Sequence, residues 1–257
     1  MENRGTRALR TLSFIACAIL AAPAAAHGLA VRVASQEALA PKWQRAAGRL
    51  AGLCPDIMAA VERIEPRLRF GGFAASRSLP GIEAGLENGS LDAACALMPS
   101  AHRSAIAQPV GQPVYVTRHR LAVRSGDTVT VRTAADLARL GDLVVTQRGS
   151  ALNAPLHAAG VRVDDATDDN EVNLRKMLAG HGRFAYVNEL TLQHIIRNGG
   201  LARQVRILPV ELGGEPAYFW VSRKADPALA PLLGAALDKL KANGELARIY
   251  ARWAANP

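Results

Sequence analysis

The sequence is poor in cysteine and in aromatic residues. Of its 257 residues 3 are Cys, and Phe, Trp and Tyr together make up 5%. A surface that binds nucleic acid needs aromatic side chains on which bases stack and a cluster of basic residues, whereas the Lys and Arg residues here are spread along the chain. The net charge of +9 therefore indicates a solvated basic surface, which attracts anionic solutes, and no nucleic-acid partner is predicted.

Motifs for catalysis and for metal binding are also missing from the sequence. The 6 His residues are scattered, and no Cys/His or Ser/His/Asp arrangement, metal-ligand cluster or Walker loop has a recognisable spacing. The residues themselves therefore predict no metal site, no cofactor and no catalytic group.

The apolar stretch 12–22 is too short to span a membrane comfortably. It follows three Arg residues within the first ten positions and precedes an Ala-rich cleavage pattern that ends at Ala26. This is the pattern of a secretory signal peptide. We predict that residues 1–26 are removed after Ala26 and that the mature protein is periplasmic. A lipid anchor on Cys17 is the weaker interpretation, because Phe14 stands where a lipobox has Leu.

Two cysteines, Cys54 and Cys95, remain after removal of the signal peptide. An even pair in an oxidising compartment is compatible with a disulfide. Two buried thiols are equally compatible with the sequence, since Cys is often buried.

The segment 79–115 shows how the chain is organised. Residues 91–97 are almost wholly apolar, which predicts a strand covered on both faces in a parallel sheet. Met98, Ser100 and Arg103 follow its carboxyl end, the edge at which open α/β sheets bind ligands. An Arg at this edge is suited to clamp a carboxylate with two parallel hydrogen bonds.

A second strand-to-helix junction follows residues 143–147. Gly149 and Ser150 precede the next predicted helix, whose N–H groups and dipole favour an anion, although Gly-Ser there is also an ordinary helix start. A further strand at 184–187 leads directly to Asn188 and Glu189.

Taken in this order, the Leu-Asp-Ala strand with its Arg, the segment GDLVVTQRGS and the closing helices at 232–253 resemble the periplasmic solute-binding proteins of polar amino-acid ABC transporters, bacterial family 3. The resemblance covers essentially the whole mature chain. It implies an α/β, two-lobed periplasmic-binding-protein-like fold of type II. Each lobe would be a mostly parallel sheet flanked by helices, with two hinge crossings between the lobes. The expected lobes are 28–114 with 214–257, and 115–213, and the expected crossings are 115–118 and 212–216.

The resemblance also implies roles for residues. Arg103 would hold the carboxylate of the solute, and Ser150 with the backbone after Gly149 would face the same anion from the other lobe. Met98 stands near a position where the family offers a hydroxyl, which Ser100 partly replaces.

Asn188 departs from the family pattern, which has there an Asp that neutralises the ammonium of an amino acid. Glu189 is adjacent, but neighbouring side chains in a strand point to opposite faces, and a carboxylate at a helix start is the commoner role. The missing acid suggests an organic acid or a modified amino acid as the solute. Trp43 and Phe73 are expected either in the wall of the cleft or in the core.

The function implied by the resemblance is the binding of a small anionic or zwitterionic solute that carries a carboxylate. A monomeric protein would deliver this amino acid or organic acid to an inner-membrane permease and would catalyse no reaction. Two alternatives stay open. One is an enzyme similar to cyclohexadienyl dehydratases, with Glu189 or His102 as general acid in a closed cleft. The other is a sensor or accessory protein that binds without transport.

Overall fold

The structure, a computed structural model, describes residues 28–37, 39–73 and 75–255. The predicted signal peptide lies outside these described residues. Within them, none of the helices has the length and apolar character needed to cross a membrane.

The first half of the described chain alternates short strands with helices and ends in a long strand. Its elements are β1 (Leu29–Arg32), β2 (Ser35–Gln36), β3 (Gln44–Ala46), β4 (Arg49–Ala51), α1 (Leu53–Ile64), β5 (Leu68–Gly71), β6 (Ser76–Arg77), α2 (Leu79–Asn88), β7 (Ala93–Leu97), α3 (Ala101–Ile106) and β8 (Ala107–Arg124).

The second half contains a further α/β unit, another long strand and two closing helices. Its elements are α4 (Ala134–Leu140), β9 (Val144–Gln147), α5 (Asn153–Ala158), β10 (Val163–Thr167), α6 (Asn170–Leu178), β11 (Phe184–Asn188), α7 (Glu189–Asn198), β12 (Val205–Ser222), α8 (Leu229–Ala242) and α9 (Glu245–Ala255).

Helix boundaries follow signals in the sequence. Ser78 caps α2 by accepting a hydrogen bond from the N–H of Gly81 at 3.2 Å, and Gly89 ends this helix with φ +79°. Thr133 and Asp136 form a capping box at the start of α4. The helices therefore begin and end where cap residues satisfy their terminal backbone groups.

Two 18-residue strands, β8 and β12, connect the lobes. They pair antiparallel from Val205 opposite Arg124 to Ser222 opposite Ala107, within a six-stranded sheet of order β10-β9-β11-β8-β12-β7. The pairs β1–β5, β2–β6, β9–β10 and β9–β11 are parallel, as expected for α/β lobes.

The buried side chains divide between two lobes. Lobe 1 contains the apolar clusters built mainly from β1, α1, α2, β7, the start of β8, the end of β12, and α8 and α9. Lobe 2 contains the clusters built from the end of β8, α4 to α7, β9, β11 and the start of β12. This arrangement is the predicted two-lobed fold, while the exact bounds, 28–114 with 214–257 and 115–213, stay a prediction.

Local features differ from the expectations. β7, expected in a parallel sheet, pairs antiparallel with β12 at the sheet edge. β8 starts at Ala107, before the expected crossing at 115–118, and includes Pro109. This Pro is tolerated because β8 pairs there with β12 alone, so that the Pro lies on a sheet edge. The helix expected directly after Ser150 is α5, which begins at Asn153.

Candidate functional site

A cavity of about 70 Å³ lies between the two lobes. No Asp or Glu is present among the described residues that line it. The lining residues with chemistry relevant here are Lys42, Met98 and Arg103 from lobe 1, and His119, Ser150 and Asn188 from lobe 2.

Arg103 lies in the wall of this cavity, at the carboxyl edge of β7, but its guanidinium is already engaged. Nη2 donates to Oε1 of Glu83 at 2.7 Å, and Nη1 donates to the carbonyl oxygen of Met98. Nε has no partner among the described residues. Burial lowers the pKa of Arg103, and the charge of Glu83 opposes this effect. Glu83 and Met98 therefore already accept hydrogen bonds from the guanidinium that was expected to clamp a carboxylate. Only the remaining N–H groups of Arg103 are left for a solute.

Met98 lines the cavity, and its carbonyl group accepts a hydrogen bond from Arg103. Its thioether has no hydrogen-bond donor to offer a solute. Ser100 is not part of the lining. Its Oγ accepts a hydrogen bond from the backbone N–H of Arg103 at 3.1 Å and caps α3. Ser100 therefore positions Arg103 and does not replace the missing hydroxyl.

Gly149 and Ser150 bring lobe 2 against lobe 1. Gly149 has φ +69°, and a Cβ there would lie 3.3 Å from Cγ of Pro80 in α2, so the two lobes are in contact at this point. Ser150 lines the cavity, and its Oγ accepts from the N–H of Leu152 at 3.3 Å. Ser150 lies three residues before α5, which has 6 residues, so the anion site expected here stays a prediction that would rest on Ser150 and the turn around it.

Asn188 lines the cavity, whereas Glu189 does not. Oδ1 of Asn188 caps α7 by accepting from the N–H groups of Leu190 at 3.0 Å and Thr191 at 3.3 Å. Glu189 pairs with Arg120 at 3.0 Å on the far side of this turn. Glu189 therefore does not replace the family's acid.

Trp43 and Phe73 lie outside the cavity, in the core of lobe 1. Their ring centroids are 6.5 Å apart, and Trp43 is 5% exposed. Phe73 is partly buried against this core, whereas Trp43 also lines a separate pocket between the lobes together with Asp169 and His194. His102, the other acid candidate of the dehydratase alternative, is exposed at the surface and also lies outside the lining.

Cys54 and Cys95 form a disulfide with their Cα atoms 6.0 Å apart. It joins the first turn of α1 to β7, close to the lobe 1 wall of the cavity. The bond therefore fixes two elements that present residues to the cavity.

Lys42 and His119 are among the lining residues that were not predicted. Lys42 follows the first two strands at their carboxyl end, which is the positional signal that identifies it in hindsight. Burial, with a smaller effect of Arg103, lowers the pKa of Lys42 to about 7. His119 lies in β8, where burial lowers its pKa to about 4, and its Nδ1 lacks a partner within the described ranges.

The chain belongs to the bacterial extracellular solute-binding proteins, family 3, whose model matches residues 31–256. The family expected from the sequence is thereby confirmed. No curated protein matches this sequence.

Solved structures confirm the two-lobed fold. An ancestral arginine-binding protein bound to arginine is 20% identical, with 88% of this chain and 99% of that chain covered and a TM-score of 0.73. A histidine kinase sensor domain with similarity to periplasmic binding proteins is 18% identical over 88% of this chain and 96% of that chain, with a TM-score of 0.75. The VFT2 domain of Bordetella pertussis BvgS, a double mutant, is 22% identical over 87% and 93%, with a TM-score of 0.73. At these identities the similarity concerns the fold alone.

Proposed function

We propose that this protein binds a small organic acid between its lobes in the periplasm and, as a monomer, delivers it to an inner-membrane ABC permease. The observation that carries the proposal is the composition of the cavity wall. Glu83 balances the charge of Arg103, Lys42 has no acidic partner, and no described lining residue is an acid, so the wall is positive whenever Lys42 is protonated. A buried positive surface favours a carboxylate, and an ammonium would meet no opposite charge there.

The size of the cavity supports a small solute. The volume of about 70 Å³ is well below the roughly 300–1,000 Å³ of ordinary ligand pockets, which suits a short monocarboxylic acid. The side chain of a large amino acid would require the lobes to separate further.

Polar atoms without partners support the same function. Nε of Arg103 and Nδ1 of His119 are buried and have no hydrogen-bond partner in the described part of the chain, and both residues line the cavity from opposite lobes. A buried polar atom without a partner costs about 1–3 kcal/mol. A carboxylate that reaches these atoms when the lobes close accepts from Nε of Arg103, and from Nδ1 of His119 in the tautomer that carries its proton there, which favours the closed state.

Export and transport rest on other observations. The N-terminal pattern favours a signal peptide, and family membership favours solute delivery. The dehydratase alternative is disfavoured because both of its acid candidates, His102 and Glu189, lie outside the cavity.

Matched ligand pairs test the specificity. We expect isothermal titration calorimetry on the mature protein to detect propionate and butyrate but not alanine and 2-aminobutyrate, since each pair differs by one ammonium group. Tighter binding of the amino acids would overturn the proposal. Transport is tested separately by uptake of the bound acid in cells with the gene deleted. A loss of uptake supports delivery, and unchanged uptake favours a sensor.

A further inference from the structure

Lys42 presents a buried amine to the cavity without an acidic partner. The residue is 4% exposed, and Nζ donates to two neutral acceptors, the carbonyl oxygen of Ala96 at 2.7 Å and Oε1 of Gln36 at 3.3 Å. No carboxylate of the described residues forms an ion pair with it. Arg103 differs, since Glu83 balances its charge at 2.7 Å. A buried cation without a counter-charge is costly. A negative group bound in the cavity would supply the counter-charge that Lys42 lacks.

The surrounding fold holds both ends of Lys42 in place. The carbonyl groups of Pro41 and Lys42 accept the first N–H groups of α1, from Leu53 and Cys54, each at 3.1 Å. At the other end, Ala96 adopts φ +55° and offers its carbonyl group to Nζ. A residue other than Gly is strained in this region, and such strain is concentrated at functional sites.

We propose that Lys42 is the principal charge partner of the bound carboxylate and that binding draws one proton from solvent onto its amine. This inference rests on the proposed function and adds to it the anchoring residue and the proton. The balance is simple: the carboxylate, one proton and the neutral amine give an ammonium–carboxylate pair. The solute then enters the site as the equivalent of a neutral acid.

The other titratable groups of the cavity do not exchange protons near neutral pH. Burial raises the pKa of Tyr186 to about 12 and that of Tyr115 further, and it lowers the pKa of His119 to about 4. Arg103 stays charged and repels the ammonium of Lys42, while Glu83 stands behind Arg103 and is bonded to it. The pKa of Lys42 is about 7, and a bound carboxylate would raise it. Lys42 is therefore the lining residue whose charge changes near neutral pH when the solute binds.

The pH dependence of propionate binding tests the inference. Below pH 7 the free protein already carries the proton, so the affinity should be constant. Above pH 7 the affinity should fall by up to about tenfold per pH unit. Calorimetry at pH 8.5 in phosphate and in Tris, which differ in ionisation enthalpy, should report uptake of close to one proton.

Variants separate Lys42 from a general charge effect. Lys42→Met should weaken propionate binding at least about tenfold at pH 6. Lys42→Arg should bind with an affinity that no longer changes from pH 7 to 9, because its charge is permanent. Lys239→Met, an exposed control on α8, should behave as the unchanged protein.

The outcomes distinguish the two proposals. Propionate binding without proton uptake, or with full affinity in Lys42→Met, would overturn the role of Lys42 and leave the proposed function standing. No binding of any short carboxylate at any pH would overturn both. The proton measurement uses the unsubstituted protein, so it decides the matter even where Lys42→Met fails to fold.

Discussion

Nη2 of Arg103 lies 2.7 Å from Oε1 of Glu83, and the two side chains are 2% and 11% exposed. This buried pair joins α3 to α2 at the wall of the cavity. The guanidinium also approaches the ring of Trp220, with Cζ 5.8 Å from the ring centroid. Arg103 is therefore part of the core of lobe 1 as well as of the cavity wall, and its charge is balanced before any solute arrives.

Removal of the Glu83 charge should destabilise the free protein. Breaking a buried ion pair by changing one partner costs about 3–5 kcal/mol, and Glu83→Gln should fall near 3 because the amide oxygen still accepts a hydrogen bond. Urea unfolding measures the loss. Glu87→Gln, on the exposed face of the same helix, is the control. Equal stability of the two variants would show that the pair contributes nothing.

Acid should destabilise the fold through His119. Burial holds its pKa at about 4, against about 6.5 in the unfolded chain, so between these values the unfolded chain binds more protons. Stability therefore falls as the pH drops from 6.5 to 4, by about 3 kcal/mol from this group. Urea unfolding of His119→Gln should lack this part of the pH dependence. Asp127 and Asp164, whose partners lower their pKa to about 2, act below this window. A His119→Gln profile parallel to that of the unsubstituted protein would contradict the assignment.

The sequence was sufficient for the family, the element order and the strand ends that meet at the cavity, because these depend on local patterns and chain order. The sequence also predicted that Arg103, Ser150 and Asn188 face a common cleft, and all three line the cavity. It did not predict that Glu83, twenty residues before Arg103, would occupy its guanidinium, since this pairing depends on how α2 packs against α3. Lys42 was missed although it follows the first two strands, because that position does not show that its amine is buried in the cavity wall, which is a tertiary effect.

Gly52 is required for the loop that positions Lys42. It has φ 131° and ψ 178°, a region used almost only by Gly, and a Cβ there would lie 2.5 Å from the carbonyl oxygen of Lys42. Gly52→Ala should cost more than the conformational strain alone, because backbone atoms must move. Gly48→Ala is the matched control, with φ +76° and open space around its Cβ, and should cost about 1–2 kcal/mol. Chemical denaturation of both variants gives the comparison, and a smaller loss in Gly52→Ala would refute the close approach.

The Cys54–Cys95 disulfide should stabilise the protein and preserve the Lys42 loop. It closes a loop with a sequence separation of 41, for which the chain-entropy model gives about 4 kcal/mol. For a domain of this size that corresponds to a loss of about 8–16 °C in Tm on reduction. Thermal unfolding with and without dithiothreitol measures the effect on the mature protein.

The double variant Cys54→Ala/Cys95→Ala serves as the control, because reductant has no bond to break in it and should leave its Tm unchanged. Cys54 donates its N–H to the carbonyl of Lys42, and Cys95 precedes Ala96, which accepts from Nζ of Lys42. The double variant should therefore also bind propionate more weakly than the oxidised protein, beyond its loss of stability. Alkylation of both thiols without prior reduction, together with a Tm that dithiothreitol does not change, would show that the bond is absent from the folded protein.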